Sequence, residues 1–221
     1  MQTRQITERN NYLWLLLALL LLLFAAAFFE QLEIPAFRRA AGLMLTVVIL
    51  VGVWSVDTGM HKSMRRILAT VFLVSLLAME QFLHHPSVVL LQLSVSLLFC
   101  LVTIAICCRQ VLFSGYVDLN KIIGAICIYI LLGIAWGLVY MLLEQFFPGS
   151  IPGLEGGVWP RDLQRSLYFS FISLTTLGYG DISPTQPLAQ LIVYLQAITG
   201  QFYVAILVAS LVGVRLAERE R

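Results

Sequence analysis

Six long apolar runs, separated by short polar segments, constrain the fold of this chain more than any other feature. A helix needs roughly 20 apolar residues to cross a hydrocarbon core of about 30 Å. Lipid offers no water to satisfy open backbone groups, so each run must be helical. With 60% hydrophobic and 12% charged residues, the 221-residue chain is predicted to be an all-α, multi-pass membrane protein. The predicted spans are Tyr12–Phe29, Ala40–Val56, Ile67–Leu83, Ser87–Cys108, Ile122–Leu143 and Leu188–Val214.

The distribution of lysine and arginine predicts the orientation of these spans. If six spans form, both termini lie on one side, and ten of the fourteen basic residues fall on that side. The positive-inside rule therefore places both termini in the cytoplasm, with the protein in the plasma or inner membrane. The net charge of +2 and the lack of a basic stripe argue against nucleic-acid binding. The lipid bilayer is the partner that the composition predicts.

Between the last two predicted spans lies an outer segment of about forty residues, 144–187. It begins with a Pro- and Gly-rich loop, and the apolar run that follows Trp159 is too short to cross the membrane. Pro160 suits the first helical position, and Asp162 suits the positive end of the helix dipole. We therefore predict a half-length helix, residues 160–175, that re-enters the membrane from outside. Irregular backbone at its tip is tolerated only inside protein or beside a water-filled cavity.

The tip of this segment reads TTLGYGD, residues 175–181. It resembles the selectivity-filter signature of potassium channels, usually Thr-Val-Gly-Tyr-Gly, with Leu177 where valine is commoner. On these residues the chain resembles the potassium channels that have six spans and a single pore loop, of the prokaryotic type. The close resemblance covers roughly residues 168–200, and the first four spans resemble the family only in number and order.

The resemblance implies a homotetramer in which each chain supplies one strand of the filter. A bare cation in a low-dielectric core costs tens of kcal/mol, and rings of backbone carbonyls replace its hydration shell. Gly178 and Gly180 provide backbone conformations that most side chains forbid. The implied K⁺ ligands are the carbonyls of Thr176, Leu177, Gly178 and Tyr179, together with the Thr176 hydroxyl. No cofactor is implied beyond the permeant K⁺.

The same resemblance implies roles for further residues. Tyr168 lies where related pore helices carry an aromatic residue that bonds the filter aspartate, so we hypothesise a bond from Tyr168 to Asp181. Thr175 belongs to the same supporting group, whereas Ile172 replaces a buried glutamate of some bacterial channels. Gly200 follows Asp181 by nineteen residues, the spacing of a hinge glycine in related inner helices. Bending and close packing both explain a mid-helix glycine, and both stay open.

These elements predict the domain organisation. The fourth span carries no charge, so the first four spans are not expected to sense voltage. The short tail leaves no room for a ligand-binding module. The predicted parts are a cytoplasmic amino terminus (1–11), a four-helix peripheral domain (12–108), a cytoplasmic linker (109–121), a pore domain (122–214, with its inner helix at 188–214) and a cytoplasmic tail (215–221).

The predicted function is passive, K⁺-selective conduction, and no enzymatic activity is expected. One alternative is a cation channel of relaxed selectivity, for which Leu177 is the only hint. A second alternative reads Gly-Tyr-Gly-Asp as the Gly-x-Gly-Asp motif of intramembrane aspartyl proteases. Such enzymes need two carboxylates that share a proton inside the bilayer. The remaining aspartates, Asp57, Asp118 and Asp162, fall at loops or helix starts, which argues against that alternative.

Overall fold

The described part of the chain is built from five helices. A computed structural model describes residues 11–31, 70, 86–112, 119–154 and 161–219. The predicted second and third spans lie outside these ranges apart from Thr70, so the six-span topology stays a prediction. The helices are α1 (Asn11–Gln31), α2 (Pro86–Leu112), α3 (Leu119–Phe146), α4 (Arg161–Leu174) and α5 (Pro187–Arg219).

Three of the described helices are long and apolar enough to cross a membrane. The qualifying stretches are Ser87–Val111, Leu119–Phe146 and Pro187–Ser210, and α1 has a shorter apolar stretch, Tyr12–Phe28. At about 1.5 Å per residue, the 28 residues of α3 exceed the roughly 30 Å hydrocarbon core. The helices extend a few residues beyond the predicted apolar runs, because helical hydrogen bonding continues into the polar residues that flank them.

Helix α3 lies at the centre of the described fold and packs against each of the other four helices. Its side chains Ile128, Leu131 and Leu138 are completely or almost completely buried. Near its start, a Cβ atom on Gly124 would lie 2.8 Å from Val111 Cγ2, so the glycine permits close approach of α2. The apolar cluster between α1, α2 and α3 includes Leu15, Leu19, Leu93, Phe99, Cys107, Cys127, Ile128 and Leu131.

A second apolar cluster lies between α3, α4, the start of α5 and the loop that follows α3. Within it the rings of Tyr140 and Phe169 lie 4.9 Å apart with their planes tilted by 58°. Further along α5, the Tyr203 hydroxyl donates to the Ala125 carbonyl over 2.7 Å and ties α5 to α3. The buried members of the second cluster are Tyr140, Leu143, Ile151, Leu154, Phe169, Ile172 and Ala189.

Candidate functional site

Helix α4 is a half-length helix held tightly against α3. Its 14 residues extend about 21 Å, less than the hydrocarbon thickness, and it is one residue shorter at each end than predicted. Ser166 Oγ donates to the Gly137 carbonyl and Ser170 Oγ donates to the Gly133 carbonyl, each over 2.6 Å. A Cβ atom on Gly133 would overlap the Phe171 ring, so the glycines let the two helices approach. Small residues four apart on both helices are the sequence signal for this contact.

The backbone beyond α4 folds back onto the last turn of that helix. The N–H groups of Leu177 and Gly178 both donate to the Ile172 carbonyl, over 2.9 and 3.1 Å. The Thr176 N–H donates to the Ser173 carbonyl over 3.1 Å. Carbonyls that a helix end leaves open are thereby satisfied. Residues 175–181, here called the filter segment, are therefore anchored by their own helix.

The sign of φ alternates along the filter segment. The angle is +59° at Thr176, +52° at Gly178 and +81° at Gly180, and it is not positive at the residues between them. Within the described ranges, Thr176 is the one non-glycine residue with a positive φ. In an ordinary strand successive carbonyls point to opposite sides, whereas alternating left- and right-handed conformations turn them toward the same side. Backbone with this alternation is suited to present its carbonyl oxygens on one side, which an ion-coordinating strand requires.

One side of the filter segment is uncovered in the single chain. The side chains of Leu177 and Tyr179 are 56% and 68% exposed. A Cβ atom on Gly178 or Gly180 would meet no atom of the described chain within 4 Å. The oxygens of this segment alone would replace only part of the hydration shell of a bound cation. One chain by itself therefore does not enclose the filter segment on this side.

Tyr168 and Asp181 join the middle of α4 to the end of the filter segment. The Tyr168 hydroxyl donates to Asp181 Oδ2 over 2.8 Å. This hydrogen bond to the carboxylate raises the pKa of the Tyr168 hydroxyl. At the other end of the segment, Thr175 Oγ1 donates to the Phe171 carbonyl over 2.7 Å. The supporting role of these residues in conduction stays a prediction.

Helix α5 passes the carboxyl end of α4 at Gly200. A Cβ atom there would overlap the Leu174 carbonyl oxygen and would lie 3.0 Å from Leu174 Cδ1. The helix continues unbroken from Pro187 to Arg219. The contact with Leu174 therefore supports close packing, one of the two interpretations of Gly200. The hinge interpretation stays a prediction.

Comparison with known protein families agrees with this arrangement. Residues 126–215 match the family model described as "Ion channel". The match begins within α3 and covers α4, the filter segment and most of α5, which are the elements that build the site. No curated protein and no solved structure matches the chain. The match supports ion channel activity for an all-helical membrane protein, and ion channel families are generally not enzymes.

Glu144 is a structural residue whose burial the sequence did not predict. The outer segment was expected to begin at this position, but α3 continues to Phe146 and buries the Glu144 side chain to 2% exposure. Glu144 Oε2 accepts from the Gly149 N–H over 2.9 Å, and Oε1 accepts from the Ile151 N–H over 2.5 Å. A carboxylate that accepts two backbone N–H groups fixes the turn that follows α3.

The turn after α3 also holds the residues that connect the filter segment to α5. The Thr185 N–H donates to the Ser150 carbonyl over 3.0 Å. Ser150 Oγ lies 3.1 Å from Gln186 Oε1, within hydrogen-bond distance. The loop after α3 therefore holds the residues that join the filter segment to α5, although Ser150 and Gln186 are 36 residues apart in the sequence.

Two glutamines of α5 contact the elements around the filter segment, and sequence reasoning singled out neither. Gln201 Nε2 donates to Thr176 Oγ1 over 3.3 Å, and that hydroxyl donates to the Thr175 carbonyl over 2.6 Å. Gln196 is completely buried and contacts α3 and α4. Which glutamine of an apolar helix turns inward depends on tertiary packing, so the only signal in the sequence is a polar amide inside a membrane span.

Proposed function

We propose that this protein is a K⁺-selective channel that conducts K⁺ passively through the filter segment. The observation that carries the proposal is the alternating φ of residues 176–180 at the tip of a half-length helix. Carbonyls turned to one side replace the water that K⁺ loses when it enters a low-dielectric region. In this proposal the ligands are the carbonyls of Thr176, Leu177, Gly178 and Tyr179, together with the Thr176 hydroxyl.

We further propose that four copies surround one central axis. The open side of the filter segment supports this, because a complete coordination shell needs oxygens from several strands. Helix α5 supports it as well, since Tyr194, Ile198 and Phe202 are each about half exposed or more in the single chain. Homo-oligomers mostly have closed symmetry, and a fourfold axis would give each ion a ring of four equivalent oxygens.

The orientation of α4 supports cation binding in this arrangement. The carboxyl end of a helix carries roughly half of a negative elementary charge. The filter segment starts at that end and stays bonded to the carbonyls of Ile172 and Ser173. A cation held at the inner end of the segment would therefore lie near the negative end of four helix dipoles. Anions would be disfavoured for the same reason.

The test is a reversal-potential measurement on purified protein in liposomes or planar bilayers. With K⁺ gradients and Na⁺ as the competing ion, the reversal potential is expected to follow the K⁺ gradient by about 59 mV per tenfold change. Native mass spectrometry is expected to give four times the 24.8 kDa chain mass. Gly178→Ala places a side chain at a positive φ and is expected to abolish conduction. Gly213→Ala on α5, where an added Cβ meets no described atom within 4 Å, is the matched control.

The outcomes separate the competing functions. A reversal potential that follows the summed K⁺ and Na⁺ gradients would favour a channel of relaxed selectivity. A protein that passes no ions but cleaves a membrane peptide, and loses that cleavage in Asp181→Ala, would favour the protease. A dimer or a monomer by native mass spectrometry would refute the fourfold arrangement.

A further inference from the structure

A fully buried polar cluster joins the three helices that build the site. Its members are Tyr140 of α3, Ser170 of α4 and Gln196 of α5, and each side chain is 0% exposed. Gln196 Nε2 donates to the Ser170 carbonyl over 2.9 Å and lies 2.8 Å from Ser170 Oγ. Tyr140 donates its hydroxyl to Gln196 Oε1. The cluster is a continuous hydrogen-bonded path from α3 through α5 to α4.

Almost all polar side-chain atoms of this cluster form hydrogen bonds. Both N–H bonds of the Gln196 amide have an acceptor, and its oxygen accepts from Tyr140. Ser170 Oγ donates its own proton to the Gly133 carbonyl over 2.6 Å. In a dry environment an amide that loses its partners has no water to replace them. The amide therefore favours one position of α5 relative to α4 far more strongly than apolar side chains would.

The cluster lies directly behind the residues that hold the filter segment. Gln196 and Gly200 are four residues apart, so they share the face of α5 that contacts α4. Ser170 precedes Phe171 and Ile172, whose carbonyls accept N–H groups from the start of the filter segment. A rotation or shift of α5 at Gln196 would therefore move the turn of α4 to which residues 175–178 are bonded.

We propose that Gln196 is a positioning residue for the filter segment. Its amide fixes α4 against α5, and through α4 it sets the spacing of the carbonyls that select between K⁺ and Na⁺. The inference rests on the proposed function, because it assigns Gln196 a role in the selectivity of that same site. Four copies around an axis would multiply a small displacement, since each ion contacts oxygens from every chain.

The experiment compares K⁺ over Na⁺ permeability ratios, taken from reversal potentials of the full-length protein in liposomes. Gln196→Leu keeps a side chain of similar volume but removes both donors and the acceptor. We expect its permeability ratio to fall about tenfold. A tenfold change corresponds to roughly the net free energy that one hydrogen bond contributes. Gln190→Leu, at an exposed glutamine of the same helix, is the matched control and should keep the wild-type ratio. Tyr140→Phe leaves the α4–α5 bonds in place and should keep it as well.

A triple variant separates positioning from stability. Tyr140→Phe, Ser170→Ala and Gln196→Leu together remove every side-chain polar group of the cluster, so none of them is left without its side-chain partner and thermal stability should recover toward the wild type. The positioning role requires that the permeability ratio stays low in this variant. Recovery of the ratio together with stability, or an unchanged ratio in Gln196→Leu, would overturn the inference and leave Gln196 as a packing residue. A wild-type protein without K⁺-selective flux would refute the proposed function and this inference with it, whereas a selective Gln196→Leu variant refutes the inference alone.

Discussion

Substitution of Gly200 by alanine tests the contact between α5 and the end of α4. The added Cβ would overlap the Leu174 carbonyl oxygen and lie 3.1 Å from its carbonyl carbon. Both atoms belong to the backbone, so no side-chain rotation can relieve the contact. Overpacking of this kind costs about 1–3 kcal/mol, while alanine in place of glycine in a helix gains about 1 kcal/mol. We therefore expect a net destabilisation of up to about 2 kcal/mol in each chain.

Thermal unfolding of the purified protein, followed together with ion flux, measures this effect. Gly213→Ala gains the same helix propensity on the same helix without a contact inside the described chain, so it should be neutral or slightly stabilising. Gly200→Ala should unfold at a lower temperature than Gly213→Ala and should lose flux. Equal unfolding temperatures would refute the packing argument. Equal temperatures with altered channel opening would favour the hinge interpretation of Gly200.

Three further predictions follow from the hydrogen bonds around the filter segment. Tyr168→Phe removes the donor to Asp181 and is expected to shorten or reduce K⁺ currents in bilayer recordings, and unchanged currents would contradict a supporting role. Glu144→Gln replaces a buried acceptor of two backbone N–H groups and should lower the free energy of unfolding by about 1–3 kcal/mol in thermal unfolding; an unchanged midpoint would show that the carboxylate is dispensable. Gln201→Leu frees a lone pair of the Thr176 hydroxyl and should tighten K⁺ binding to the purified protein in calorimetry, whereas an unchanged affinity would assign that lone pair no part in ion binding.

The features that the sequence could predict are local ones. The apolar runs locate α1, α2, α3 and α5 because a membrane-crossing helix needs a continuous apolar stretch. The short run after Trp159 predicts a half-length helix, and α4 has 14 residues. The two glycines of TTLGYGD predict left-handed backbone at Gly178 and Gly180, where φ is positive. Each of these inferences depends only on residues that are neighbours in the chain.

The features that the sequence could not predict depend on which helix faces which. Glu144 looks like the first residue of an exposed loop, yet two backbone N–H groups of the following turn draw it inward. Gln196 and Gln190 are both glutamines near the start of α5, and only the packing of α4 decides that Gln196 is buried. The left-handed φ of Thr176 follows from the hydrogen bonds that pull residues 176–178 back onto α4, because threonine itself disfavours that conformation.

Several contacts that hold the filter segment lie within one chain, and this bears on how selectivity would arise. The positive φ at Thr176, the bonds to Ile172 and Ser173, and the Tyr168–Asp181 contact all lie within one chain. In the proposed assembly the neighbouring copies would add opposing carbonyls to a strand that its own chain holds by these contacts. Selectivity would then depend on how firmly α4 and α5 hold each strand at its distance from the axis. A substitution that loosens the contact between α4 and α5, such as Gln196→Leu, should therefore change ion preference although it touches no ion.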